Sequence, residues 1–98
     1  MPGFVQIMEI KTSRVDEVTA LVNKMRDEHG DQLASRLIQA ADRDRAGYYF
    51  SIIEFDSYEE AMKNSNNPTT SEFAKQLSAL LDGPPKFYNL DVLQTYEK

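Results

Sequence analysis

Tyr48-Tyr49-Phe50-Ser51-Ile52-Ile53-Glu54-Phe55, running into Asp56-Ser57-Tyr58-Glu59-Glu60-Ala61, decides how the rest of the chain is read. The first part is almost wholly aromatic or β-branched, the side chains that fit a pleated, half-buried surface, and it predicts a strand. Alternation puts Tyr49 and Ser51 on one face and Tyr48, Phe50, Ile52 and Glu54 on the other. Both faces carry apolar or aromatic residues, so both need cover. Ser57-x-x-Glu60 then has the spacing of a capping box, in which the hydroxyl and the carboxylate each satisfy an amide of the first helical turn. It predicts a short helix from Tyr58 to about Asn64.

Upstream of this strand, Asp42-Arg43-Asp44-Arg45-Ala46-Gly47 has the length and chemistry of a hairpin loop. It joins a β segment from about Ala34 to Ala41. Before that, Thr12 or Ser13 can cap a helix whose Val15, Val18, Leu21, Val22 and Met25 form one apolar stripe, with Gly30 as its terminator. The first strand, Phe4 to Lys11, sets Phe4, Gln6, Met8 and Ile10 against Val5, Ile7 and Glu9. Downstream, Ser65-Asn66-Asn67-Pro68 breaks the short helix, and Thr69-x-x-Glu72 opens another with Phe73, Leu77, Leu80 and Leu81 along one side. Asp82-Gly83-Pro84-Pro85 closes it, and Lys86 to about Tyr96 reads as the last strand. The order β-α-β-β-α(α)-β is the ferredoxin-like α+β arrangement, an antiparallel sheet backed by helices, over one domain spanning 1–98. There is no internal repeat and no linker.

Composition removes several function classes. At 98 residues the chain has one core's worth of apolar residues. A net charge of −5 opposes nucleic acid and anionic membrane as partners. No window approaches a membrane span and Met1-Pro2-Gly3 does not open a signal peptide, so the expected location is the cytoplasm. The absence of Cys excludes disulfides, thiolate catalysis and sulfur-based metal sites. A lone His29 leaves no multi-histidine metal site, and in Asp27-Glu28-His29-Gly30 it reads as a cation at a helix C-terminus. No phosphate-binding glycine loop and no acidic cluster with metal spacing is present.

Helices cover one face of a four-stranded sheet. The other face then needs a partner, because Val5, Ile7, Ile38, Tyr88, Leu90 and Val92, or the opposite set, would form a larger apolar patch than monomers usually expose. A homodimer with sheets face to face buries the same patch twice, and exchange of the C-terminal strand would add to it. The alternative is scattered, half-exposed β-formers.

Tyr49 to Ala61, with its acidic–aromatic pair and Ser-then-Glu-Glu-Ala helix start, resembles the third strand and following helix of antibiotic-biosynthesis-monooxygenase-like domains in the dimeric α/β-barrel superfamily. The element order is similar over nearly the whole chain. The resemblance implies homodimers, no obligatory metal or flavin in several members, and a ligand cleft between sheet and helices; no cofactor is expected. It does not fix one reaction. Against the haem-degrading branch, Gln6 stands nearest to the first-strand Asn, Asn64 or Ser65 to the second-helix Trp, and Leu77 to the haem-ligating His. With Leu there, that scheme lacks its imidazole. The His residues common near the second helix in the oxygenase branch are replaced by Ser, Asn and Thr.

Cofactor-free oxygenation of an electron-rich phenol asks a protein to hold the substrate dry, help remove its proton and stabilise the anion. Gln6, polar on an otherwise apolar face, is the candidate to orient a ligand oxygen; the plainer role is an amide satisfied by a neighbour. Tyr49 and Ser51 can add hydroxyls, or simply pack. Asn64, Ser65, Phe73 and Leu77 complete the candidate pocket for a small apolar or aromatic ligand. Glu54 either acts as a buried acid or pairs with Arg36 on the neighbouring strand. Two functions are carried forward: a cofactor-independent monooxygenase on a small aromatic or polyketide-like molecule, and a non-catalytic ligand-binding or regulatory dimer.

Overall fold

A computed structural model describes residues 3–29 and 35–97, with the backbone alone for His29. The elements are β1 (Phe4–Lys11), α1 (Val15–His29), β2 (Arg36–Ala41), β3 (Tyr48–Phe55), α2 (Tyr58–Ser65), α3 (Pro68–Ser78) and β4 (Lys86–Asp91). The four strands form one antiparallel sheet in the order β2-β3-β1-β4, the ferredoxin-like α+β topology. Gly30, the expected terminator of α1, and Ala34, the expected start of β2, lie outside the described residues.

The apolar stripes explain which face is covered. Phe4, Met8 and Ile10 of β1 are buried with Val18 of α1 and Leu77 of α3. Met8, Ile10, Val18 and Leu77 form one core cluster, with Leu21, Val22, Tyr49, Phe73, Leu80 and Leu81 packed against it. A second cluster of Phe4, Phe55 and Ala61 sits under α2, with Ile53 beside it. Both belong to the side of the sheet that bears Phe4, Gln6, Met8 and Ile10. The opposite face carries Val5, Ile7, Ile38, Phe50, Ile52 and Tyr88, all half-buried, and no helix among the described residues covers it.

Local chemistry sets the boundaries. The Ser57 hydroxyl accepts from the Glu60 N–H at 3.1 Å, as the capping pattern requires. The third helix is capped two residues earlier than expected: Asn67 Oδ1, not Thr69, serves, accepting from Thr69 N–H at 2.9 Å, with Pro68 in the first turn. Proline lacks the N–H that this position leaves unpaired anyway, so it starts the helix where it was expected only to break one. Thr12 is buried; its hydroxyl donates to Leu80 O at 2.6 Å and accepts from Arg14 N–H at 2.9 Å, tying the exit of β1 to the end of α3. β4 ends at Asp91 rather than near Tyr96, because β1, its partner, ends its pairing at Phe4 opposite Asp91. Val92 still donates to Gly3 O at 3.1 Å, but Leu93 and Tyr96 beyond it are 97% and 86% exposed.

Two glycines are required. Gly47 closes the β2–β3 loop at φ 85°, where a side chain is strained. At Gly3, a Cβ would lie 2.7 Å from Asp56 O, so only glycine lets the two segments approach. No helix among the described residues is long and apolar enough to cross a membrane.

Candidate functional site

On the helix-covered side, strand pairing aligns polar groups in two rows. Leu37, Ile53, Gln6 and Asn89 lie in one, and Gln39, Ser51, Met8 and Phe87 in the next. Gln6 Nε2 donates to Asn89 Oδ1 at 3.0 Å, which holds both amides in fixed orientation and leaves Gln6 Oε1 as acceptor and the Asn89 amide as donor. Gln39 Nε2 donates to Thr19 Oγ1 of α1 at 3.0 Å, with Ser51 buried beside it. Met8 of the second row belongs to the larger apolar cluster, and Ile53 of the first packs against the smaller one.

The candidates do not all come together. Gln6, Tyr49 and Ser51 share this sheet face, and Tyr49 packs on the larger core cluster. Leu77 is 3% exposed inside that cluster. Asn64 accepts from the Thr70 hydroxyl at 3.4 Å, linking α2 to α3, and Ser65 is exposed at the end of α2. Phe73 is the candidate that reaches a cavity. A groove of about 330 Å³ runs between α1 and the first half of α3, walled by Leu21, Met25, Pro68 and Phe73 with Lys24, Glu28, Thr69, Glu72 and Gln76 around it. That size matches the lower range of small-molecule sites. Gln76 Nε2 donates to Glu72 Oε1 at 3.1 Å, which orients the carboxylate.

Sequence reading missed Gln39, Thr19, Asn89 and the groove. Gln39 carried a signal, a polar residue in a helix-facing row. The groove had none, since it depends on how α1 and α3 splay.

Several charged groups lie on the uncovered face. Arg45 Nε reaches Asp42 Oδ2 at 2.8 Å, its NH2 group reaches Glu9 Oε1 at 3.3 Å, and its guanidinium lies 4.1 Å from the centre of the Tyr48 ring. The Arg45 hydrogen bond, then the Asp44 N–H, holds the Asp42 carboxyl below its ordinary value, and Asp42 raises Arg45 in turn. Lys86 is raised by the Tyr88 side chain, then by Glu9. Glu54 lies 3.4 Å from Arg36 Nε. Among the described residues no cluster of His, Asp and Glu could hold a metal ion.

A four-stranded antiparallel sheet with helices on one face is a ferredoxin-like α+β fold, and comparison with solved structures shows that it is similar to the fold of antibiotic biosynthesis monooxygenase proteins. SnoaB, a cofactor-independent oxygenase from Streptomyces nogalater, is similar over 100% of both chains with a TM-score of 0.82 at 14% identity. An antibiotic biosynthesis monooxygenase crystal structure matches 93% of this chain and 99% of its own with TM-score 0.74 at 12% identity. A conserved protein from Methanosarcina mazei Go1 matches 93% of each chain at 0.80 and 12%. No protein-family model matches the sequence, and no curated protein does.

Proposed function

We propose that this protein is a homodimeric, cytoplasmic, cofactor-independent monooxygenase acting on a small electron-rich aromatic or polyketide-like molecule. The observation that carries the reading is the groove between α1 and α3, of a size for such a ligand, in a fold shared over its full length with a cofactor-independent oxygenase. Phe73 is the wall common to the groove and the core cluster, so an aromatic ring stacked on it would be backed by the packed core.

A phenol with a free para position can supply all four electrons that O₂ needs: phenol plus O₂ gives quinone plus water, one oxygen atom entering each product. The protein's share is to desolvate the ring, accept the phenolic proton and hold the anion. In this reading Glu72, which lines the groove and accepts a hydrogen bond from Gln76, takes that proton. Gln6, Tyr49 and Ser51 share the helix-facing side of the sheet but are not among the residues that line the groove.

Oxygen uptake by chelator-treated protein over a panel of phenols and quinols tests this. Turnover that falls at least about tenfold in Phe73→Ala and Glu72→Gln, with the fold intact by circular dichroism, is the expected result. Binding to the groove without oxygen uptake across the panel would instead support the ligand-binding reading, which is favoured by the Ser, Asn and Thr residues that stand near the second helix where the oxygenase branch commonly has histidine.

A further inference from the structure

The groove between α1 and α3 is lined from α1 by Lys24, Met25 and Glu28 and from α3 by Glu72, Phe73 and Gln76. Both sets have the spacing i, i+1, i+4, in which the third residue neighbours each of the others on one helix face. Each wall therefore sets an apolar side chain beside polar ones. Lys24 is the one cation among the lining residues, with the Glu28 carboxylate on its own wall and that of Glu72 on the other. The ion pairs within α1 join Arg14 to Glu17 and Arg26 to Asp27, and among the described residues none engages Lys24, which is exposed.

The start of α3 also borders the groove, and a helix start is where free amides would otherwise meet an anion. Here those amides are already bonded. Pro68 has no N–H, Thr69 N–H donates to Asn67 Oδ1 at 2.9 Å, and the N–H groups of Thr70 and Ser71 donate to Asn67 O at 3.0 and 3.2 Å. Gln76 Nε2 donates to Glu72 Oε1 at 3.1 Å, and what its amide has left is a neutral donor. A hydrogen bond from a charged donor is roughly twice as strong as a neutral one, so an anionic oxygen in the groove finds its best partner in the Lys24 ammonium.

We infer that Lys24 holds the anionic oxygen of the ligand, so that the groove takes an aromatic ring bearing an acidic hydroxyl, the ring against Phe73 and the oxygen toward α1. This rests on the proposed function and adds the residue that its proton transfer needs. The phenolic O–H bond breaks, its proton passes to the Glu72 carboxylate, and the electron pair stays on the oxygen that Lys24 holds. Protonation neutralises Glu72, so the phenolate forms without a competing negative charge from the α3 wall. In the free protein the exposed ammonium stays hydrated, and its flexible stem lets it turn to a ligand when one arrives.

Binding of 4-nitrophenol tests this. Its blocked para position keeps it out of the quinone chemistry, and its phenolate alone absorbs strongly in the visible, so the two bound forms are read apart. With protein in excess, its ionisation midpoint in Lys24→Met should lie about one pH unit above that in wild type, a loss of about tenfold for the phenolate, while affinity for the neutral phenol changes less than about twofold. Methionine keeps an unbranched apolar stem, and Glu28 is present in both proteins, so the comparison isolates the ammonium. Lys24→Arg should restore the midpoint, and Glu72→Gln should lower it by removing a carboxylate from the α3 wall. Equal midpoints in wild type and Lys24→Met, or an equal loss of both forms, would overturn the role of Lys24 and leave the oxygenase reading to the oxygen-uptake assay. A probe that fails to bind at millimolar concentration would overturn it together with the groove as the ligand site.

Discussion

Replacing Leu77 with Ala tests whether the third helix is anchored by its core stripe or lines an open cavity. Leu77 is 3% exposed and packs with Met8, Ile10 and Val18. Three carbon atoms are removed, and at about 0.8 kcal/mol each the lost transfer energy is about 2.4 kcal/mol. Neighbours from a sheet and two helices cannot collapse fully, so a residual cavity raises the cost to about 3–5 kcal/mol. Domains of this size have about 5–15 kcal/mol in total, so the variant should lose a large share of its stability and its Tm should fall by more than 10 °C. Urea unfolding followed by circular dichroism measures this, with the slope m expected to stay unchanged. A loss below about 1 kcal/mol would refute the packing argument and return Leu77 to the ligand-pocket wall.

Thr12→Val removes a buried hydroxyl that serves Leu80 O and Arg14 N–H; the expected cost is about 1–3 kcal/mol in the same unfolding experiment. Asn67→Ala deletes the cap of α3 at the edge of the groove and should cost about 0.5–2 kcal/mol, whereas Thr69→Val should leave the cap intact. Asp42 should titrate below its ordinary 3.8 because Arg45 stabilises the carboxylate. Its folded pKa is the lower one, so the stabilisation is present above pH 3.8 and lost as pH falls through the folded value. A carboxyl-carbon NMR titration measures the shift, and Arg45→Ala should move it back up; an Asp42 pKa at or above 3.8 in the intact protein would contradict the loop geometry.

The fold was legible because its signals are local and mutually consistent. The aromatic and β-branched run of β3, the stripe of α1 and the Ser57 cap each specify one structure by short-range physics. Errors fell where a boundary depends on a distant partner. Asn67 and Thr69 are both chemically able caps, and the choice between them follows from Pro68 entering the first turn. β4 reads as a strand through Tyr96, yet the ladder stops where β1 runs out at Phe4. Alternation correctly put Gln6, Tyr49 and Ser51 on one face, but Leu77 was offered as both core and pocket because periodicity shows a facing direction and not a cavity. The groove arises from the distance between α1 and α3, which no stretch of sequence encodes by itself.

The most direct test of the oxygenase reading is product mass after incubation of the chelator-treated protein with an electron-rich phenol under ¹⁸O₂. The account predicts a quinone carrying one ¹⁸O atom, formed only with protein and lost in Phe73→Ala. A quinone without the label, or product formed at the same rate without protein, would contradict it.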